Sequence, residues 1–299
     1  MRTSIVCSGG IRLLAGLGLA VASVAAARAA DSQAPVTYGA LPDGASSTAE
    51  TSAIGAEICR DLLLDQAQVR QQLPANYRLL TAREVAPGDP GIRRLLDDLN
   101  PAAGSARLAG FFVGSLCFLS VGHATVDGVR VHGPGPTPQA FLWARAEGPR
   151  DPRMLGKVQW VQLASWYPLD VLERRRILAS DPTAEFVDIQ MDRSGPNRWS
   201  LQLTLPTERV MADVTGSGQR TPRKTPQPGF MSVAFTGASA DRFQVFTYYG
   251  HHHQESHGLW LAEGGGIFSS ALAIPGEQRA LGTYLQDGWQ ARFGVYTFE

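Results

Sequence analysis

Val187 to Leu205 reads VDIQMDRSGPNRWSLQLTL, and this stretch decides the fold class. Val187, Ile189 and Met191 alternate with Asp188, Gln190 and Asp192. Arg193 to Asn197 then supplies Gly and Pro for a reversal. Beyond it Trp199, Leu201, Leu203 and Leu205 alternate with Ser200, Gln202 and Thr204. Period-two alternation on both sides of such a turn is the pattern of two antiparallel strands with one buried face.

The texture outside the hairpin is similar. Upstream, Ala109 to Val121 is apolar nearly throughout, as a strand buried on both faces would be. Val126-Asp127-Gly128-Val129 reads as a turn, and His132 to Pro138 as a loop, because Pro cannot donate to a sheet ladder. Phe141 to Ala146 and Val158 to Ser165 read as strands. Downstream, strands are expected at Val210 to Val214, Phe230 to Phe235, Phe243 to Tyr249, Ile267 to Ile274 and Trp289 to Phe298, with a loop over Gly216 to Pro228. Helices are fewer. Ile54, Ile58, Leu62 and Val69 recur near helical spacing over Ser52 to Leu73, with Glu57 and Asp61 off that line. Gly91 to Leu99, Pro168 to Ser180 and Pro275 to Gln286 complete the helical set. The expected architecture is mainly β within α+β: an antiparallel sheet, curved or closed into a cone or barrel, with a few peripheral helices.

The chain's first thirty residues read as an export signal: Arg2, an apolar core from Ile11 to Ala27, and small residues around Ala29. The expected product is periplasmic or extracellular, with no stable membrane span left after cleavage. Residues 31–51, rich in Ser, Ala, Pro and Gly, read as a flexible linker, and 52–299 as a single β domain opening on a helix. Removal of residues 1–30 takes away Arg2, Arg12 and Arg28 and no acid, which leaves a net charge of −3. That balance excludes the basic face of a nucleic-acid binder. Cys59 and Cys117 remain; in an oxidising compartment they can pair, and they can equally stand as two buried thiols. The oligomeric state is left open.

Several segments together resemble the acetoacetate decarboxylase-like superfamily over roughly Leu73 to Glu299. They are Leu73-Pro74-Ala75-Asn76-Tyr77, the apolar strand carrying Cys117 ahead of Val126-Asp127-Gly128, the segment Trp166 to Ser180, His257-Gly258 and Ile274-Pro275-Gly276-Glu277. The resemblance implies a β-cone or barrel around an apolar cavity. In that family a lysine, made neutral by burial and a neighbouring cation, forms a Schiff base with a keto acid. The family's lysine pair is absent. Lys224 lies in a polar Pro-rich loop, and Lys157 stands alone at a strand edge, where a solvated role is the plainer reading.

The second chemical feature is Gly250 to Gly258, GHHHQESHG, at the end of an expected strand. As a strand it places His251, His253 and Glu255 on one face; as a helix it places His253 and His257 one turn apart. His251, His253 and His257 are thus the candidate ligands for a divalent metal, although no zinc signature is matched. No other cofactor is indicated. Three readings follow. The first is an exported protein with a cavity for a small, partly apolar ligand, walled by Trp160, Trp166, Tyr248, Tyr249 and Trp260, without Schiff-base chemistry. The second is a carbon–carbon lyase, a decarboxylase acting on a small keto acid through Lys157. The third is a metal-dependent enzyme built on the histidines.

Overall fold

The computed structural model describes residues 45–69, 78–98, 108–147, 159–218, 221–223, 232–235, 242–249, 251–274 and 283–298, with side chains over most of these. The described strands form one fourteen-stranded sheet. They are β1 (Ala45–Leu64), β2 (Arg78–Leu79), β3 (Phe112–Val126), β4 (Val129–Arg130), β5 (Thr137–Glu147), β6 (Gln159–Pro168) and β7 (Ala184–Gly195). After them come β8 (Arg198–Thr204), β9 (Glu208–Gly216), β10 (Thr221–Arg223), β11 (Ser232–Phe235), β12 (Arg242–Tyr249), β13 (His251–Gly264) and β14 (Thr283–Phe298). Short helices intervene: α1 (Gln66–Val69), α2 (Ala82–Val85), α3 (Pro90–Asp98), α4 (Arg174–Ser180) and α5 (Ile267–Leu272).

The sheet closes on itself. Pairing runs β14-β1-β3-β5-β6-β7-β8-β9-β13 and returns to β14, a ring of nine strands. All its junctions are antiparallel except β6–β7, where Ser165 to Pro168 run parallel to Ala184 to Val187. A second closure leaves β6 through β11 and β12 and also returns to β14. β6 and β14 therefore each change partner along their length. Residues 159–162 of β6 pair with β11 and 165–168 with β7. Residues 283–287 of β14 pair with β13 and 290–297 with β12. Each change coincides with a register shift, between Leu142 and Trp143 opposite β6 and between Gly55 and Ala56 opposite β14. An extra residue bends a strand and raises its twist, which is what a strand serving two closures requires. Gly55 sits at the β1 shift because a Cβ there would lie 2.2 Å from the Ser120 carbonyl oxygen.

The expected hairpin is present. Met191 faces Leu201 and Ile189 faces Leu203, and all four side chains are buried. With Ile58, Phe118, Leu142, Trp166, Trp199, Trp260 and Phe268 they form the main core. The β3–β4 turn also stands where expected, with positive φ at Asp127 and Gly128 (50° and 74°), the backbone of a type I′ hairpin.

Five expectations are corrected, the first being the loop over Gly216 to Pro228, where Thr221–Arg223 form β10 against β13. Residues 45–64 are a strand, not the end of a linker followed by a helix, because the ladder with β14 and β3 takes up their backbone groups on both sides. The Ile54-Ile58-Leu62 spacing of four is also a multiple of two, so it fits a strand face as well as a helix face. Ile267 to Leu272 is a helix rather than a strand, since the Glu208 carboxylate accepts the amides of Phe268 and Ser269 at 3.1 and 2.9 Å and so caps its first turn. β6 continues to Pro168 and pairs there with Val187, so α4 starts only at Arg174. Residues 283–286, expected to be helical, open β14. α3 forms as expected, with Asp89 accepting from the amides of Gly91 and Ile92. Among the described residues no helix is long and apolar enough to cross a membrane.

Candidate functional site

β1 is buried on both faces, and its faces differ chemically. Ile58, Leu62 and Leu64 point with Arg60 into the main core. Glu57, Cys59 and Asp61 point the other way, at strand spacing. Across the ladder, Cys59 faces Cys117 on β3 and Tyr284 on β14, and Asp61 faces Ser115. Ser115 faces Trp143, and Arg145 faces Trp160, on β5 and β6. The cysteines are joined in a disulfide, fully buried, in a second apolar cluster with Leu119, Trp143, Tyr167 and Ile177. Of the two states open to Cys59 and Cys117, the paired one is observed.

The polar groups of this face are perturbed. Glu57 is 3% exposed, and burial raises its pKa to about 7. Its Oε1 lies 3.1 Å from the Cys59 sulfur. An oxidised sulfur has no hydrogen to give, so that contact is favourable when the carboxyl is protonated and donates. Asp61 is raised to about 6, first by burial and then by the neighbouring Asp89 charge, against the opposing pull of Arg145. The Tyr284 hydroxyl is held well above its ordinary value by burial, with Glu57 and Asp61 adding to the shift. Asp61, Tyr284 and Trp160 are each half-buried. Arg145 lies over the Trp160 ring at 5.6 Å and pairs with Asp89 at 3.0 Å. Perturbed acids grouped beside an aromatic ring and a cation make this face the candidate site.

The neighbouring polar network is structural. Gln162 accepts from the Trp143 indole at 3.2 Å and donates to Asp181 at 2.9 Å, and the Tyr167 hydroxyl donates to Asp181 at 3.0 Å. Thr183 donates to the same carboxylate through its amide and its hydroxyl. Each hydrogen bond there has a partner inside the network, which fixes the β6–β7 junction.

Among the described residues, the tryptophans singled out from sequence lie on different sides of the sheet. Trp166 and Trp260 are buried in the main core; Trp166 donates to Glu185 at 3.2 Å, and Trp260 packs on Phe118 with ring centroids 6.0 Å apart. Both belong to the packed core. Trp160 stands on the opposite side of the sheet, against the acids. Tyr248 and Tyr249 close β12 opposite Ala291 and Gln290, and their side chains lie outside the described residues. Lys157 and Lys224 also lie outside them. The histidine run is a strand: His251 and His253 pair with Arg223 and Thr221, their side chains are not among those described, and His257 is exposed. His123 is exposed, whereas His132 is buried and its pKa is lowered, chiefly by burial.

Among the described residues, the one group of potential metal ligands close enough to share an ion is Glu57 with Cys59 and Cys117. Both sulfurs are committed to the disulfide. A groove lined by Asp192, Ser200, Gln202, Asp213, Leu259 and Leu261 includes none of Glu57, Asp61, Arg145 or Tyr284. Sequence reading missed Glu57, Asp61, Arg145 and Tyr284. The signal for the first two was their spacing about Cys59, Glu-x-Cys-x-Asp, once the segment is taken as a strand.

No family model and no curated sequence matches the chain. Solved structures do. An acetoacetate decarboxylase from Legionella pneumophila is 9% identical, with a TM-score of 0.44, over 95% of this chain and 98% of that one. The enduracididine biosynthesis enzyme MppR complexed with pyruvate is 13% identical, with a TM-score of 0.45, over 85% and 90%. An acetoacetate decarboxylase-like enzyme from Sphingomonas wittichii is 11% identical, with a TM-score of 0.41, over 84% and 92%. At these values the likeness is weak, and it is one of fold alone: a mostly antiparallel closed sheet resembling the acetoacetate decarboxylase-like enzymes.

Proposed function

We propose that the chain is an exported protein that binds a small, partly apolar molecule in a recess on the Glu57 face of β1, and that it does so without Schiff-base chemistry. The observation that carries this reading is the grouping of Glu57, Asp61 and Tyr284, all with raised pKa values, beside Trp160 and Arg145. At neutral pH the Tyr284 hydroxyl is a hydrogen-bond donor, Glu57 is about half protonated, and Arg145 is a cation. The recess therefore favours a ligand with an acceptor oxygen at one end and an apolar body against the Trp160 ring. Arg145 is a guanidinium, which forms no imine with a carbonyl. Export is supported by the N-terminal pattern and by the disulfide, which suits an oxidising compartment.

The test is a thermal-shift and calorimetric screen of small ketones, acids and lactones against the untagged protein. The expected result is a ligand whose binding is weakened in Asp61→Asn and Trp160→Ala and retained in Lys157→Ala. Binding indifferent to both recess variants would displace the site. Borohydride trapping with keto acids decides the lyase reading, since a covalent adduct lost in Lys157→Ala would establish it. Metal analysis of the same preparation decides the histidine reading, and a folded, metal-free protein would end it.

A further inference from the structure

Among the described residues six large apolar side chains are markedly exposed, and four of them belong to one end of the molecule. Leu169, Leu172 and Leu178 are 56%, 64% and 45% exposed on the segment that leaves β6 and enters α4. Val129, at the tip of the β3–β4 hairpin, is 36% exposed. The two elements are joined, because the Leu172 amide donates to the Val131 carbonyl at 3.1 Å. The exposure is not looseness. Val171 and Ile177 are buried beneath the segment in the second apolar cluster, so the leucines are held outward by an anchored backbone.

The charges around them have one sign to spare. Arg174 donates to the Leu169 carbonyl oxygen and lies over the Phe186 ring at 4.7 Å. Arg130 donates to the Gly133 carbonyl at 3.1 Å. Arg175 is exposed and makes no ion pair among the described residues. Arg176 pairs with Glu173 at 3.7 Å. Arg130, Arg174 and Arg175 thus keep their charge beside the leucines, with Asp127 and Asp170 as the exposed acids of the same segments.

We infer that this end is a membrane-surface contact for anionic phospholipid, with Leu169, Leu172, Leu178 and Val129 entering the headgroup boundary and the arginines meeting phosphate. Protruding aliphatic side chains ringed by arginine suit a fluid interface. A specific protein partner instead favours aromatic anchors, and among the described residues the exposed large apolar side chains are all aliphatic. The proposal uses none of Glu57, Asp61, Arg145, Trp160 or Tyr284.

Co-sedimentation with vesicles of phosphatidylcholine alone, and with phosphatidylglycerol added, tests it on the full chain. The expected result is binding to the anionic vesicles that falls as salt rises, weakened about tenfold in Leu172→Asp and made less salt-dependent in Arg175→Glu. Both sites are exposed, so both variants should keep the wild-type melting temperature, and Leu172→Ser serves if Leu172→Asp does not. No binding to anionic vesicles, equal binding to uncharged ones, or wild-type binding by the leucine variants would each overturn the inference. Capture by an acidic protein with no vesicle binding would overturn it in favour of a protein partner.

Discussion

The two faces of β1 are built from alternate residues of one strand, and both are buried, yet they are held by different physics. Toward the main core, Ile58, Leu62 and Leu64 meet Phe118, Leu142 and Trp260 and exclude water. Toward the second cluster, Glu57, Cys59 and Asp61 meet a disulfide partner, a tyrosine and an arginine. Burial lowers free energy on the first face and raises the energy of the charged forms on the second. A fold tolerates two carboxyls there only by keeping them partly protonated, and that cost is why the proposed site is placed on this face.

The largest expected effect lies on the apolar face. Trp260→Ala or Phe118→Ala should each cost roughly 3–5 kcal/mol in denaturant unfolding, with little dependence on pH, because nothing that titrates is removed. A strong pH dependence in either variant would break the division between the faces. Next is the covalent link on the polar face. Replacing Cys59 and Cys117 together by Ala opens a loop with a sequence separation of 58. Chain entropy alone sets that loss at about 4 kcal/mol, and a cost under about 1 kcal/mol would mean that the disulfide adds little to what the ladder already fixes.

Glu57→Gln should instead have an effect that grows with pH. The folded-state pKa is raised to about 7 from a usual 4.5, so the wild type keeps its full stability below the usual value and loses it as pH rises through 7. The glutamine cannot ionise. It should match the wild type in acid and exceed it by about 3 kcal/mol above neutrality, and parallel unfolding curves at acid and alkaline pH would contradict the assignment. A smaller effect is expected at Glu208→Ala, which removes the acceptor for the first turn of α5 and should cost about 1 kcal/mol. Smallest is Arg78→Ala. Arg78 pairs with Glu84 and Glu147 while more than half exposed, so the loss should stay within about 1 kcal/mol and vanish in high salt.

The β7–β8 hairpin was legible because one of its faces is wet, so polarity alternates visibly along it. β1 was not, for the opposite reason. With both faces buried its apolar residues lose the period-two signal, and the acids between them imitate the polar side of a helix. Ile267 to Leu272 was misread because the cap that selects helix there, Glu208, is 60 residues away in sequence. The disulfide could be named as a pairing and not decided, since the register that sets Cys59 opposite Cys117 depends on that same misread strand. The histidine run drew attention through composition, whereas the acid site depends on one residue in two along a strand and on a tyrosine more than 200 positions later. Composition shows the first kind of cluster; only the ladder assembles the second.

The central claim is that Glu57 is a buried acid poised near neutrality on the face proposed to bind a ligand. A site-resolved carbon NMR titration of the Glu57 carboxyl, assigned by its loss in Glu57→Gln, tests it most directly. The account predicts a midpoint of about 7; a midpoint in the ordinary glutamate range near ~4.3 would contradict it.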